Sequence, residues 1–168
     1  SWAMSFHFGF LNILTILRHS AYGTFLTGNT INAASALSKV DLVSVGFYYT
    51  VIACYLVGQA LYRVIDTRLY ARTSAGAVAP LVFLLYTLTD VIDFLTTDGA
   101  FSRGDADALG ASRWSVLPIA VGAGCVSACG AHLDGVVTNM ITGHYATIVG
   151  SYASYYAQGR QLAHARKR

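Results

Sequence analysis

The chain has 168 residues, of which 55% are hydrophobic and 11% are charged, and its mean hydropathy is +0.51. Soluble domains carry about 25% charged residues, so this composition excludes a soluble globular surface. The formal net charge of +3 gives no reason to expect a nucleic-acid partner. The composition therefore predicts an integral membrane protein, in a bacterial inner membrane or an organellar membrane, with lipids among its contacts.

Six apolar segments follow one another along the chain. They cover residues 2–17, about 30–37, 42–65, 77–95, 114–133 and 136–156, and an aqueous loop occupies 96–113. A helix of about 20 apolar residues crosses a bilayer core, whereas an open strand in lipid would leave backbone groups unpaired. We therefore expect an all-α, multi-pass membrane protein that forms one domain over residues 1–168.

A Thr-Gly pair interrupts the apolar sequence twice, in FLTGNTINAA (residues 25–34) and in NMITGHYATIVG (residues 139–150). The offset that superposes the two pairs also places Gly9 on Gly124. This indicates two related halves, residues 2–38 and 114–157, with helices broken at the Thr-Gly motifs. If the arginine clusters around Arg63 and Arg160 face the same side of the membrane, the two halves have inverted orientations. If all six segments cross the membrane, the two halves are parallel.

The residues around the first motif resemble a known family. GFLNILTILRHSAYGTFLTGNTINAASAL, residues 9–37, is similar to the signature of the YoaK-like family, which are multi-pass membrane proteins of unknown function. The matching positions are Gly9-Phe10-Leu11-Asn12 and Thr27-Gly28-Asn29-Thr30, and YLVGQAL at 55–61 resembles the next family helix. The resemblance implies a fold and a membrane location, and little chemistry.

The chain departs from the family pattern in three places. Asn12 stands where the family usually has Asp, and Gly124-Cys125 replace a Gln-Asn pair. The family has a last helix after the second Thr-Gly segment, and the sequence GRQLAHARKR stands at that place here. If the Asp and the Gln-Asn pair serve transport in the family, this chain is expected to have lost that activity.

The two Thr-Gly motifs predict a solute site. Helix N-termini at membrane depth attract anions, and Gly allows a close approach to the backbone. The structural alternative is that these glycines, flanked by small residues, only let helices pack closely. The candidate solute-binding residues are Asn12, Thr27, Gly28, Asn29, Thr142, Gly143 and His144.

Two carboxylates, Asp90 and Asp93, lie one helical turn apart in an apolar segment. Carboxylates inside a membrane are costly and usually face a cavity or a partner, so both are candidates to carry a proton. Their position near the aqueous loop also fits a simple interfacial role. Arg18 and His132 are the candidate partners.

His7 and His132 are candidate ligands for a pigment or a metal, although no pair of histidines has the spacing of a ligand pair. No metal is predicted, and the only cofactor considered is chlorophyll or another tetrapyrrole, if the chain belongs to a photosynthetic complex. No arrangement of nucleophile, base or phosphate loop indicates an enzyme.

Two classes of function follow from this sequence. The first is a transporter-like protein for a small polar or anionic solute. The second is a non-catalytic accessory subunit that packs within a larger respiratory or photosynthetic complex. The expected partners are other membrane subunits or further copies of the chain.

Overall fold

The protein is described from a computed structural model that covers residues 2–24, 26–69, 71–96 and 113–134, with four single residues beyond them, 149, 152, 155 and 156. The regular structure of these residues is helical throughout. The elements are α1 (Trp2–His19), α2 (Leu26–Ser38), α3 (Leu42–Arg68), α4 (Ala71–Thr96), a 3-10 turn (Arg113–Ser115) and α5 (Val116–Asp134). The predicted all-helical class is confirmed for this part of the chain, while most of the sixth predicted segment lies outside it.

Within the described residues, three helices are long and apolar enough to cross a membrane: Leu42–Arg68, Gly76–Leu95 and Arg113–Ala131. They correspond to the third, fourth and fifth predicted segments and support a multi-pass membrane protein. By contrast, α2 has 13 residues. At about 1.5 Å per residue it is about 20 Å long, which is too short to cross a hydrocarbon core of about 30 Å. Six spans are therefore not confirmed.

The centre of the fold is the crossing of α3 and α5, which form the most extensive helix pair. A Cβ atom added to Gly58 would meet the carbonyl oxygen of Val121, and one added to Gly124 would meet that of Tyr55. The Cys125 thiol donates a hydrogen bond to the Gly58 carbonyl at 3.2 Å. The two backbones thus touch directly, which is how small residues pack membrane helices.

A short turn folds α2 back along α3. The amides of Lys39 and Asp41 both donate to the Ala36 carbonyl, at 3.1 and 3.0 Å. Asp41 then caps α3 by accepting from the Ser44 amide at 3.0 Å, and the hydrogen bonds of Ser44 lower the pKa of this carboxyl. Because the connection is so short, α2 and α3 are antiparallel neighbours.

One face of α1 is buried and the other is exposed. The buried face, at helical spacing, packs against α5 and the 3-10 turn and consists of Phe8, Leu11, Thr15 and His19. The opposite face consists of exposed apolar residues at the same spacing, namely Phe6, Phe10, Ile13 and Leu17. Gly9 also has open space around it. Its surroundings therefore differ from those of Gly124, so the pairing of these two glycines gives no support to the predicted repeat, which stays a prediction.

Candidate functional site

After α1 the chain turns back into the bundle instead of continuing outward. Ser20 has a φ of 53°, and its amide donates to the Ile16 carbonyl at 3.1 Å, which ends the helix. The next residues run back beside α1. The Gly23 amide donates to Thr15 Oγ1 at 2.9 Å, and the Thr24 amide donates to Asn12 Oδ1 at 3.0 Å. We call residues 20–24 the return segment.

The return segment is irregular backbone that is buried at Ala21, Gly23 and Thr24, and such backbone is tolerated at membrane depth only where its polar groups are satisfied by protein. Ala21 has no exposed surface and Thr24 is also buried. Side chains on α1 supply acceptors for this backbone, which explains why polar residues lie on an otherwise apolar helix face. Asn12 therefore has a defined role, which is to hold the return segment against α1.

Asn29 clamps the return segment from the other side. Its Oδ1 accepts from the Tyr22 amide at 2.9 Å, and its Nδ2 donates to the Tyr22 carbonyl at 2.6 Å. An asparagine amide carries one acceptor and two donors, so a single side chain can serve both backbone groups. Asn29 is only 1% exposed. The motif residue thus joins the start of α2 to the chain that precedes it.

The first break in the helices lies at the return segment, and the Thr-Gly motif follows it. The sequence predicted that the second segment begins after Asn29, but α2 begins at Leu26. Thr27 and Gly28 do not interrupt this helix but lie in its first turn. Thr27 is half-buried and Gly28 is buried.

The start of α2 lies deep inside the bundle. Counting back 13 residues from the turn places it beside the middle of α3, about 20 Å from the start of that helix. Consistent with this, Leu26 shares a core cluster with Leu11 of α1, Tyr55 at the middle of α3 and Ala123 of α5. Thus α2 is a half-helix whose positive end points into the protein interior. Thr142, Gly143 and His144 lie outside the described residues.

Charged and polar side chains lie close together where α1 and α4 end and α5 begins. Arg18 Nη1 lies 3.2 Å from Asp90 Oδ1, so Arg18 is the partner that the sequence suggested. The side chain of His132, the other suggested partner, is not among those described. The Arg18–Asp90 pair is largely exposed, since 69% of the Asp90 side chain is accessible.

Asp93, one turn further along α4, faces a buried group of side chains. Its Oδ2 lies 3.6 Å from His19 Nε2, and its Oδ1 accepts a hydrogen bond from the Ser115 hydroxyl. Ser115 Oγ also lies 3.4 Å from His19 Nδ1. His19 has no exposed surface, and Ser115 is 2% exposed. The three residues, here called the His19 cluster, connect α1, α4 and the 3-10 turn.

Three helix ends meet at the His19 cluster. The carbonyl ends of α1 and α4 bring partial negative charge, and the amide end of α5 brings partial positive charge. Arg18 and His19 are in the last turn of α1, where cations stabilise a helix. The carboxylates of Asp90 and Asp93 add full negative charges.

His19 and Ser115 are site residues that the sequence did not predict. A usable signal was present, because Thr15 and His19 are one turn apart on α1 and Asn12 precedes them on the same side. A polar stripe on an apolar helix indicates buried hydrogen bonding. Ser115 had no comparable signal, since only the folded chain brings it next to Asp93.

The candidate ligand histidine His7 stacks on Tyr86, with ring centroids 6.2 Å apart and an interplanar angle of 13°. Among the residues with described side chains, no group of three His, Cys, Asp or Glu residues could hold a metal ion. His7 therefore has two aromatic neighbours, Tyr86 on α4 and Phe8 on its own helix, and the assignment of a pigment to it stays a prediction.

The described residues are helical in their regular structure, and three of their helices are long and apolar enough to cross a membrane, which is the pattern of a multi-pass membrane protein. The chain belongs to the family described as protein of unknown function (DUF1275), which matches residues 1–168. The resemblance to YoaK-like membrane proteins agrees with this membership. No curated protein and no solved structure matches the chain.

Proposed function

We propose that the protein passes a small polar or anionic solute across the membrane, and that the solute binds at the buried start of α2. The observation that supports this is the depth at which α2 begins, beside the middle of α3. A helix N-terminus carries amides without intrahelical acceptors and a partial positive charge. In transporters, discontinuous helices direct such ends at anionic groups near the bilayer midplane.

Within this proposal the motif residues have two different roles. Asn12 and Asn29 are occupied by hydrogen bonds to the return segment, so they position the start of α2. Thr27 and Gly28 are in the first turn itself, so they are the residues expected to touch the solute. Thr142, Gly143 and His144 are proposed to supply the matching half of the site.

The substitution Thr27→Val tests this assignment, because it keeps the shape of the side chain and removes its hydroxyl. Purified protein is reconstituted in liposomes, and currents are recorded on a solid-supported membrane after jumps of chloride, nitrate, formate, phosphate or sulfate. We expect at least one of these anions to give a saturable current. Thr27→Val should then raise the half-saturating concentration about tenfold, as expected for losing one hydrogen bond to a charged group.

The matched control is Ile31→Val, one turn further along α2 on a side chain that is 64% exposed. This variant should keep the half-saturating concentration of the unmodified protein. If no probe anion gives either a saturable current or a saturable change in the pH inside the vesicles, the proposal fails. If the purified protein in that case carries stoichiometric membrane subunits, the accessory-subunit function takes its place.

A further inference from the structure

The His19 cluster is a buried ionisable site that the solute site does not use. A charge buried in a protein is costly unless a partner compensates it, and such groups inside membranes usually serve proton or ion pathways. His19 has no exposed surface, yet a carboxylate oxygen of Asp93 lies 3.6 Å from its Nε2. An imidazole can gain or lose a proton near neutral pH, and an adjacent carboxylate favours the protonated form.

Several other charged groups surround the cluster. On α1, Arg18 pairs with Asp90 of α4. On the 3-10 turn, the Arg113 guanidinium lies 4.0 Å from the centre of the Phe47 ring and donates to Ser44 of α3 at 3.0 Å. Asp41 at the start of α3 lies at the same end of the bundle. Arg18 and Arg113 therefore each have a partner, and Asp93 is the carboxylate that faces His19.

A short path of contacts connects the His19 cluster to the start of α2. Thr15 is one helical turn before His19 on the buried face of α1, and its hydroxyl accepts from the Gly23 amide in the return segment. The return segment in turn is clamped by Asn29 in the first turn of α2. A change in how α1 is held against α4 would thus reach the solute site through adjacent hydrogen bonds.

We infer that the His19 cluster is a proton-binding site that couples proton movement to the passage of the solute. The inference rests on the proposed transport function for the coupling, and on the cluster alone for proton binding. Protonation strengthens the link between His19 and Asp93 and so holds α1 against α4. Loss of the proton weakens this link and frees α1 with the return segment to move.

Proton binding is tested by NMR of protein labelled with 13C and 15N in its five histidines, in lipid nanodiscs. The His19 signal is assigned by its loss in His19→Gln and, independently, by its response to Ser115→Ala. We expect the His19 signal to titrate, and Asp93→Asn to lower its midpoint by about one to three pH units. Asp90→Asn is the matched control and should shift the midpoint much less, since Asp90 is exposed and paired with Arg18.

The pairing of His19 with Asp93 is contradicted if Asp93→Asn and Asp90→Asn give equal shifts. Proton binding is contradicted if the His19 signal does not change between about pH 5 and pH 8. Coupling is tested separately in vesicles loaded with the pH dye pyranine, to which each probe anion is added in turn. We expect anion-driven acidification in the unmodified protein and its loss in Asp93→Asn. An anion current without proton movement would overturn the coupling while leaving transport intact. A titrating His19 with neither an anion current nor anion-driven acidification would overturn transport instead.

Discussion

Replacing Gly58 by Ala is expected to force α3 away from α5 and to destabilise the bundle by about 3 kcal/mol or more. The added Cβ would occupy the position of the Val121 carbonyl oxygen, and a further backbone atom, the amide nitrogen of Cys125, lies 3.1 Å from it. A flexible side chain could move aside, but backbone atoms of a neighbouring helix cannot move without shifting that helix. The separation would also break the Cys125–Gly58 hydrogen bond.

The matched control is Gly46→Ala, on the same helix, where an added Cβ meets nothing within 4 Å. This variant should be neutral or slightly stabilising, because Ala favours helix over Gly by about 1 kcal/mol. Thermal unfolding in a mild detergent measures both variants. Gly124→Ala should match Gly58→Ala, since its Cβ would meet the Tyr55 carbonyl oxygen. Equal stability of Gly46→Ala and Gly58→Ala would show that the two helices do not cross at these glycines.

Replacing Asn29 by Ala should cost about 2–5 kcal/mol and should loosen the start of α2. The substitution removes both an acceptor and a donor from the backbone of Tyr22, and each buried group that loses its partner costs about 1–3 kcal/mol. Asn29→Asp should destabilise at least as much as Asn29→Ala, because an ionised carboxylate is buried there and its second oxygen faces the Tyr22 carbonyl. Detergent unfolding temperature gives the stability, and limited proteolysis near residue 22 reports release of the return segment.

Asn32→Ala serves as the control for this prediction. Asn32 is half-buried on the same helix and hydrogen-bonds to none of the described residues. The same chemical change should therefore have a small effect there. If Asn32→Ala and Asn29→Ala lower the unfolding temperature equally, the clamp on the return segment is not a main source of stability.

The long helices could be predicted from the sequence because length and apolar composition decide them. The segments at 42–65, 77–95 and 114–133 all lie within observed helices. The helices extend beyond the apolar limits, as α3 does to Arg68 and α4 from Ala71. This is reasonable because backbone hydrogen bonding continues past the point where side chains become polar.

The return segment could not be predicted, because contacts between distant residues create it. The sequence marks Thr27-Gly28-Asn29 as unusual, and helix-breaking residues suggested a break at that point. The break occurs earlier because Asn12 and Thr15 accept from the amides of Thr24 and Gly23. In the same way, Arg18 and His132 were the candidate partners of the two carboxylates, and only the fold brings Ser115 beside Asp93.

The depth of α2 in the membrane is the most direct test of the proposed architecture. Single spin labels are placed at Thr30, Ala34 and Ser38, whose side chains are exposed at successive turns of α2. The labels are introduced in a variant whose native cysteines are replaced, namely Cys54→Ala, Cys125→Ser and Cys129→Ala. Electron paramagnetic resonance with oxygen and a nickel chelate as relaxation agents gives the depth of each label in liposomes.

If α2 begins inside the membrane, the label at Thr30 is the deepest and the label at Ser38 the shallowest. The two should differ by about 12 Å, which is eight residues at about 1.5 Å each. A label at Val57, exposed near the middle of α3, gives the deep reference, and one at Val43 gives the shallow reference. Equal depths along α2, or a label at Thr30 that is as shallow as Val43, would contradict a half-helix that starts in the bilayer interior.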